Sequence, residues 1–98
     1  MIRHICMFKL KAENKTENLA LILEQAQTLN AIEQVISFQV VCNGEDMPQS
    51  NYDLALIFDF ESAEALQAYQ EHPVHQAFGK LIGQYREDRA CIDYYFDA

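Results

Sequence analysis

Hydrophobic residues occupy alternate positions in residues 2–10 and 52–60, and this period of two predicts a β-strand in each segment. Residues 35–42 are rich in β-branched and aromatic side chains and predict another strand, and residues 88–96 predict a fourth. Residues 43–51 contain a glycine and a proline, so we expect a loop between the second and third strands.

Two helical regions separate these strands. The first carries an apolar stripe at helical spacing, formed by Leu19, Ile22, Leu23, Ala26 and Leu29. Its expected N-cap is Asn14 or Thr16, and Ser62 is the expected N-cap of the second region. We predict that the second region is broken at His72 and Pro73, because proline disfavours helical geometry in the preceding residue and suits the first position of a new helix.

The resulting order, β-α-β-β-α-β, predicts an α+β ferredoxin-like protomer in which residues 1–98 form a single domain. In this fold the helices cover only one face of a four-stranded antiparallel sheet. The other face would carry Ile5, Met7, Ala55 and Ile57, a larger apolar area than most monomers expose to water. We therefore predict a homodimer in which two sheets pack face to face as a dimeric α+β barrel.

Charge and cysteine content narrow the range of partners and compartments. The net charge is −8 at pH 7, which argues against nucleic acid or an anionic membrane as a partner. No apolar run is long enough to span a bilayer, and the N-terminus lacks the apolar core of a signal peptide. Cys6, Cys42 and Cys91 are odd in number and far apart, so we expect buried free thiols and a cytoplasmic protein.

Candidate chemistry is concentrated around the predicted helix break. Tyr69, His72 and His75 lie within seven residues, and His75 falls in the first turn of a helix, where the positive end of the dipole favours neutral imidazole. His75 is therefore a candidate general base, with the Tyr69 hydroxyl as the partner of a developing oxyanion. In the alternative interpretation, Tyr69 caps the core with its hydroxyl at the surface, and His75 bonds to nearby backbone.

A ligand pocket is expected between the sheet and the helices. The residues predicted to line it are His4, Cys6, Phe8, Leu56, Phe58 and Phe78. No metal site is predicted, because His72 and His75 supply only two ligands and no further histidine or cysteine is close in sequence. The chain has no glycine-rich phosphate loop, and we predict no cofactor.

The sequence resembles the stress-responsive A/B barrel (Dabb) family along essentially its whole length. The matching segments are residues 1–5, 8–11, 52–56, 60–62, 68–75 and 93–94. The most specific of them is the Tyr-x-x-His-Pro-x-His block of residues 69–75. The resemblance implies a ferredoxin-like protomer and a dimeric barrel, in agreement with the surface argument.

For function, the resemblance implies less. Many bacterial members of the family are small proteins of unknown activity, and plant members include stress-induced proteins and olivetolic acid cyclase, which closes a ring by aldol condensation. In that cyclase a tyrosine and a histidine form the catalytic pair, and they match Tyr69 and His75; a pocket histidine matches His4. Arg86 and Arg89 occupy positions where a cyclase with a long apolar substrate would favour apolar residues. If these arginines point into the pocket, the expected ligand is a smaller acid.

Three functions remain open at this point. The first is a cytoplasmic homodimer that binds a small organic molecule, with a stress-linked role and no assigned reaction. The second is a cofactor-free enzyme that uses His75 as a base and Tyr69 as an oxyanion partner, either in a cyclase-like reaction or, by analogy of fold, in a monooxygenase-like one. The third is an interaction module without a ligand.

Overall fold

The structure, a computed structural model, describes residues 1–97. Its elements are β1 (Ile2–Leu10), α1 (Lys15–Ala26), a short 3-10 helix (Gln27–Ala31), β2 (Ser37–Cys42), β3 (Leu54–Phe60), α2 (Ala63–Glu71), α3 (Pro73–Gly83) and β4 (Arg86–Tyr95). The strands form one antiparallel sheet in the order β2-β3-β1-β4. The predicted ferredoxin-like fold is therefore confirmed. Among these helices, none is both long and apolar enough to cross a membrane.

Capping residues explain where the helices begin. The Ser62 hydroxyl accepts a hydrogen bond from the backbone N–H of Ala65 at 3.2 Å, as expected for the N-cap of α2. His72 has extended backbone geometry and caps α3, because its Nδ1 accepts the Val74 N–H at 3.0 Å. Asn14 precedes α1 in the left-handed region, with φ 51°, and its side chain makes no capping bond. The break between α2 and α3 is confirmed, and it assigns His72 a structural role.

The two faces of the sheet have different environments. The inner face, directed toward the helices, is buried along β1 and β3, where its residues are Ile2, His4, Cys6, Phe8, Leu10, Leu54, Leu56, Phe58 and Phe60. The outer face alternates with it: its apolar residues are Ile5, Met7, Val41, Ala55, Ile57, Ala90 and Ile92, and one end carries the polar group of Arg3, Ser37 and Asp59. Ile5 pairs with Ile57 on one side and with Ile92 on the other, and Ile92 is 60% exposed. The uncovered apolar face expected from the sequence is present in the protomer.

One sequence prediction concerning the cysteines is wrong. Cys6 and Cys91 form a disulfide, whereas we had expected free thiols, and Cys42 is the free cysteine among residues 1–97 but is exposed. The cause is the register of the sheet: Cys6 of β1 lies directly opposite Cys91 of β4, with a Cα–Cα distance of 4.3 Å. The separation of 85 residues along the chain concealed this pairing.

Asp53 holds the corner between the β2–β3 loop and the start of β3. Its buried carboxylate accepts the backbone N–H of Leu10 at 2.7 Å and lies 3.3 Å from Lys15 Nζ. Asp53→Ala should lower the free energy of unfolding by about 1–3 kcal/mol, because the Leu10 N–H loses its buried acceptor. Urea unfolding measures the change, and Asp46→Ala in the exposed loop is the control. Equal stability of the two variants would contradict this assignment.

Candidate functional site

Three of the predicted site residues come together beneath the helix break. The Tyr69 ring centroid lies 4.7 Å from that of His75 and 6.4 Å from that of His4. Tyr69 is near the end of α2, His75 is in the first turn of α3, and His4 is on the inner face of β1. Because the chain breaks at His72, these side chains from two helices and one strand converge. We call His4, Tyr69 and His75 the aromatic cluster.

His75 has the clearest chemical potential in the aromatic cluster. Its Nδ1 is buried and has no hydrogen-bond partner within residues 1–97, whereas buried ring nitrogens are normally paired. The side chain as a whole is only half-buried, so the cluster reaches the protein surface at this point. In the tautomer that carries its proton on Nε2, the His75 Nδ1 beside the Tyr69 ring has a lone pair suited to accept a proton or a hydrogen bond from a bound molecule.

The electrostatics of the cluster keep the imidazole neutral. Burial lowers the pKa of His75 below its ordinary value, the nearby backbone of Gln70 opposes this, and positive charge on His4 and Arg89 lowers the pKa further. Burial also raises the pKa of the Tyr69 phenol, which therefore stays protonated near neutral pH. A neutral imidazole next to a phenol O–H provides one potential proton acceptor and one hydrogen-bond donor.

An open strip of β4 lies beside the cluster. Arg89, Cys91 and Asp93 are directly opposite inner-face residues of β1, so they share that face, but all three are exposed. We call these three residues the β4 shelf. Asp93 Oδ1 is in close contact with His4 Nδ1, so the shelf is connected directly to the aromatic cluster. Of the two arginines considered from the sequence, Arg89 pairs with Phe8 and Arg86 with Leu10, both inner-face residues of β1, and both arginines are exposed.

The other residues predicted to line a pocket belong to the hydrophobic core. Cys6, Phe8, Leu56, Phe58 and Phe78 are all buried. Phe58 packs next to the cluster, with its ring centroid 5.0 Å from that of Tyr69 and 6.0 Å from that of His4. Their role as ligand contacts stays a prediction. Tyr69 is only 2% exposed, so nearly all of its side chain lies in the core, and the alternative interpretation of Tyr69 and His75 also stays a prediction.

Sequence reasoning missed Cys91 and Asp93 as members of this site. Both were recognised as strand residues, but their partners lie at the other end of the chain. The spacing of these residues was an available signal: Cys91 and Asp93 are two residues apart, and so are His4 and Cys6. Antiparallel pairing of the first and last strands therefore places Cys6 opposite Cys91 and His4 opposite Asp93. What the sequence did not show is that β1 and β4 are adjacent in the sheet and in this register.

The geometry can now be compared with known proteins. Residues 2–96 match the family model described as the stress responsive A/B barrel domain, Dabb. The chain belongs to the Dabb family. No curated protein matches the chain in sequence. The family assignment made from the helix break and the terminal strands is thereby confirmed.

Solved structures place this Dabb protein among dimeric relatives. A Dabb protein with a ferredoxin-like fold from Mesorhizobium loti is 27% identical, with a TM-score of 0.83 over 99% of this chain and 97% of the other. A dimeric protein of unknown function from Bacteroides fragilis is 26% identical, with a TM-score of 0.81 over 97% and 95%. Hydroxynitrile lyase from Passiflora edulis shares the fold, with a TM-score of 0.83 at 16% identity over 98% and 93% of the two chains.

The pKa of His75 predicts a pH dependence of stability in the Dabb protein. Because burial lowers this pKa, unfolded chains bind the proton more readily, and the stability contributed by neutral His75 is complete above pH of about 6.5. It should be lost as the pH falls below this value toward the pKa of the folded state. Urea unfolding at pH 7.5 and pH 5.5 should show a larger loss for the wild type than for His75→Asn. Equal losses would contradict neutral burial of His75.

Proposed function

We propose that the protein is a homodimer that binds a small organic molecule at the aromatic cluster and the β4 shelf. The observation that carries the proposal is the buried Nδ1 of His75, which lacks a partner within the described chain and lies beside the Tyr69 ring. A bound ligand that donates a hydrogen bond to this atom would satisfy it. Because Nδ1 itself is buried, a ligand would reach it by a side-chain movement next to the exposed β4 shelf.

The chemistry of the site favours a ligand with an acidic group. Arg89 stands on the shelf and is close enough to affect the pKa of His75, and its guanidinium suits a carboxylate or a phenolate. Asp93 is occupied by its contact with His4, which reduces its repulsion of an anion. We therefore propose a small organic acid with a carbonyl group within reach of Tyr69.

The homodimer is the second part of the proposal. The outer face exposes apolar side chains in the protomer, including Ile92 and Met7, and relatives with the same fold are described as dimeric. Packing two such faces together removes this apolar surface from water, at about 25 cal/mol per Å² before the entropy cost of association. We further propose a cytoplasmic location, where a reducing environment keeps Cys42 as a thiol and would hold the Cys6–Cys91 pair in its reduced form.

A cofactor-free enzyme is the second candidate function, and the neutral state of His75 favours it. His75 would remove a proton from a carbon next to a carbonyl, and the Tyr69 hydroxyl would donate a hydrogen bond to the oxyanion that forms. In an aldol cyclisation the resulting carbanion attacks a second carbonyl of the same molecule, whose oxygen then takes up a proton. A hydroxynitrile lyase reaction begins instead with a hydroxyl proton, and the carbon–cyanide bond then breaks.

Two measurements test these functions. Native mass spectrometry of the freshly purified protein should show a dimer with an additional small mass that is lost on denaturation. Acetoacetate, a small acid with protons next to a carbonyl, is the probe for proton removal: in deuterated buffer the enzyme should accelerate loss of its methylene signal in NMR spectra. A protein that neither retains a small molecule nor accelerates this exchange would contradict both functions.

A further inference from the structure

Two cysteines and one histidine of the sheet form a cluster with the composition of a metal site. A ring nitrogen of His4 and the sulfur atoms of Cys6 and Cys91 all lie within 4.8 Å of one another. In the sheet, His4 faces Asp93 and Cys6 faces Cys91, which makes a square of four chemically active side chains on one face of two neighbouring strands. We propose that the reduced protein binds a zinc ion through Cys6, Cys91 and His4, and that the Cys6–Cys91 disulfide closes this site.

The donor set selects the class of metal. Two thiolates and one imidazole are soft to intermediate ligands that suit zinc, whereas magnesium and calcium require oxygen ligands. Two sulfur atoms bound to one tetrahedral zinc ion lie about 3.8 Å apart, which is compatible with the spacing of this cluster once the disulfide is opened. Three protein ligands leave the fourth position free for water or another small ligand.

Asp93 supplies a second, independent indication. Its Oδ1 contacts His4 Nδ1, which orients the imidazole; a metal bound while this contact is kept would take Nε2 as its ligand. Metal-binding histidines commonly make this kind of bond to a carboxylate, which fixes the ring and increases its basicity. In the reduced protein the same contact would hold the His4 ring in place beside the two thiolates.

Accessibility makes the proposed switch feasible. Cys6 is buried, but Cys91 belongs to the exposed β4 shelf, so a reductant can reach its sulfur atom. With a phosphine as reductant, the S–S bond breaks, each sulfur receives a proton, and the phosphine takes up the oxygen of one water molecule to become a phosphine oxide. Zinc binding then displaces the two thiol protons.

The test uses the complete protein in its two oxidation states. Protein reduced with a phosphine and desalted without oxygen is titrated with cobalt(II), whose thiolate complexes absorb in the near ultraviolet, and then with zinc. We expect one metal ion per chain in the reduced protein and loss of binding in the oxidised protein. Binding by the oxidised protein, or no binding by the reduced protein, would overturn the proposal.

Variants distinguish this site from other thiols. Cys91→Ser should abolish the thiolate-to-cobalt absorption, whereas Cys42→Ser, which removes the free cysteine of β2, should leave binding unchanged. Asp93→Asn should weaken zinc binding by about 10–100-fold, as expected for loss of a supporting carboxylate. If Cys91→Ser binds as well as the wild type, the proposal fails. The comparison of oxidation states remains decisive if a variant does not fold, and it is independent of any activity toward acetoacetate.

Discussion

The Ile92→Asp variant is expected to elute from a size-exclusion column as a monomer, whereas the wild-type protein should elute as a dimer. Ile92 is 60% exposed in the protomer and pairs with Ile5 in the middle of the outer face. In the isolated protomer the new carboxylate is solvated, so the fold is retained. In the dimer it would be buried without a partner, once on each chain, which should raise the dissociation constant by roughly three orders of magnitude.

Ile36 provides a matched control for this variant. It is 57% exposed, close to the value for Ile92, but it lies before β2 and outside the outer face. Ile36→Asp introduces the same charge at the same exposure and should leave the protein dimeric. A dimeric Ile92→Asp protein, or a monomeric Ile36→Asp protein, would show that the two sheets do not associate through the outer face.

Replacement of His75 by asparagine is expected to reduce proton exchange of acetoacetate by about 10²–10⁴-fold, the usual contribution of a general base. The reason is the position of its ring: Nδ1 has no hydrogen-bond partner within residues 1–97, and the imidazole is held neutral by burial. Asparagine removes the proton acceptor while it keeps a polar side chain in the first turn of α3. NMR of acetoacetate in deuterated buffer measures the rate, and circular dichroism verifies the fold.

His72→Asn is the control, because it removes the other histidine of the motif while asparagine can still cap α3. His72 accepts the Val74 N–H as the N-cap of α3, and asparagine is among the best N-cap residues. This variant should exchange acetoacetate as fast as the wild type. If both histidine variants lose activity equally, the aromatic cluster has no special role, and if His75→Asn retains full activity, another base is responsible.

The chain order of the elements was predictable from local patterns. The alternation in β1 gave its bounds, Ile2–Leu10, without error, and the proline after His72 located the break between α2 and α3. These features depend on neighbouring residues alone, through side-chain period and backbone sterics. The beginnings of β2 and β3 were placed two residues too early. For β3 the reason is that the corner at Asp53 depends on its contact with Leu10, far along the chain.

The aromatic cluster was only partly predictable. The motif from Tyr69 to His75 and its resemblance to the Dabb family identified two members, and the inner-face position of His4 indicated the third. Sequence spacing could not show whether their rings converge, since the helix break changes the direction of the chain. The tertiary structure supplied the 4.7 Å separation of the Tyr69 and His75 rings and showed that Nδ1 of His75 has no partner among residues 1–97.

The sequence by itself determined the ferredoxin-like order of elements, the two-faced sheet and the position of His75 at a helix start. The tertiary structure decided which residues of β1 and β4 face each other, and with them the Cys6–Cys91 disulfide and the His4–Asp93 contact. The physical reason is that periodicity is a local property of the backbone. Strand register is set by packing and hydrogen bonding between segments that are remote in the chain.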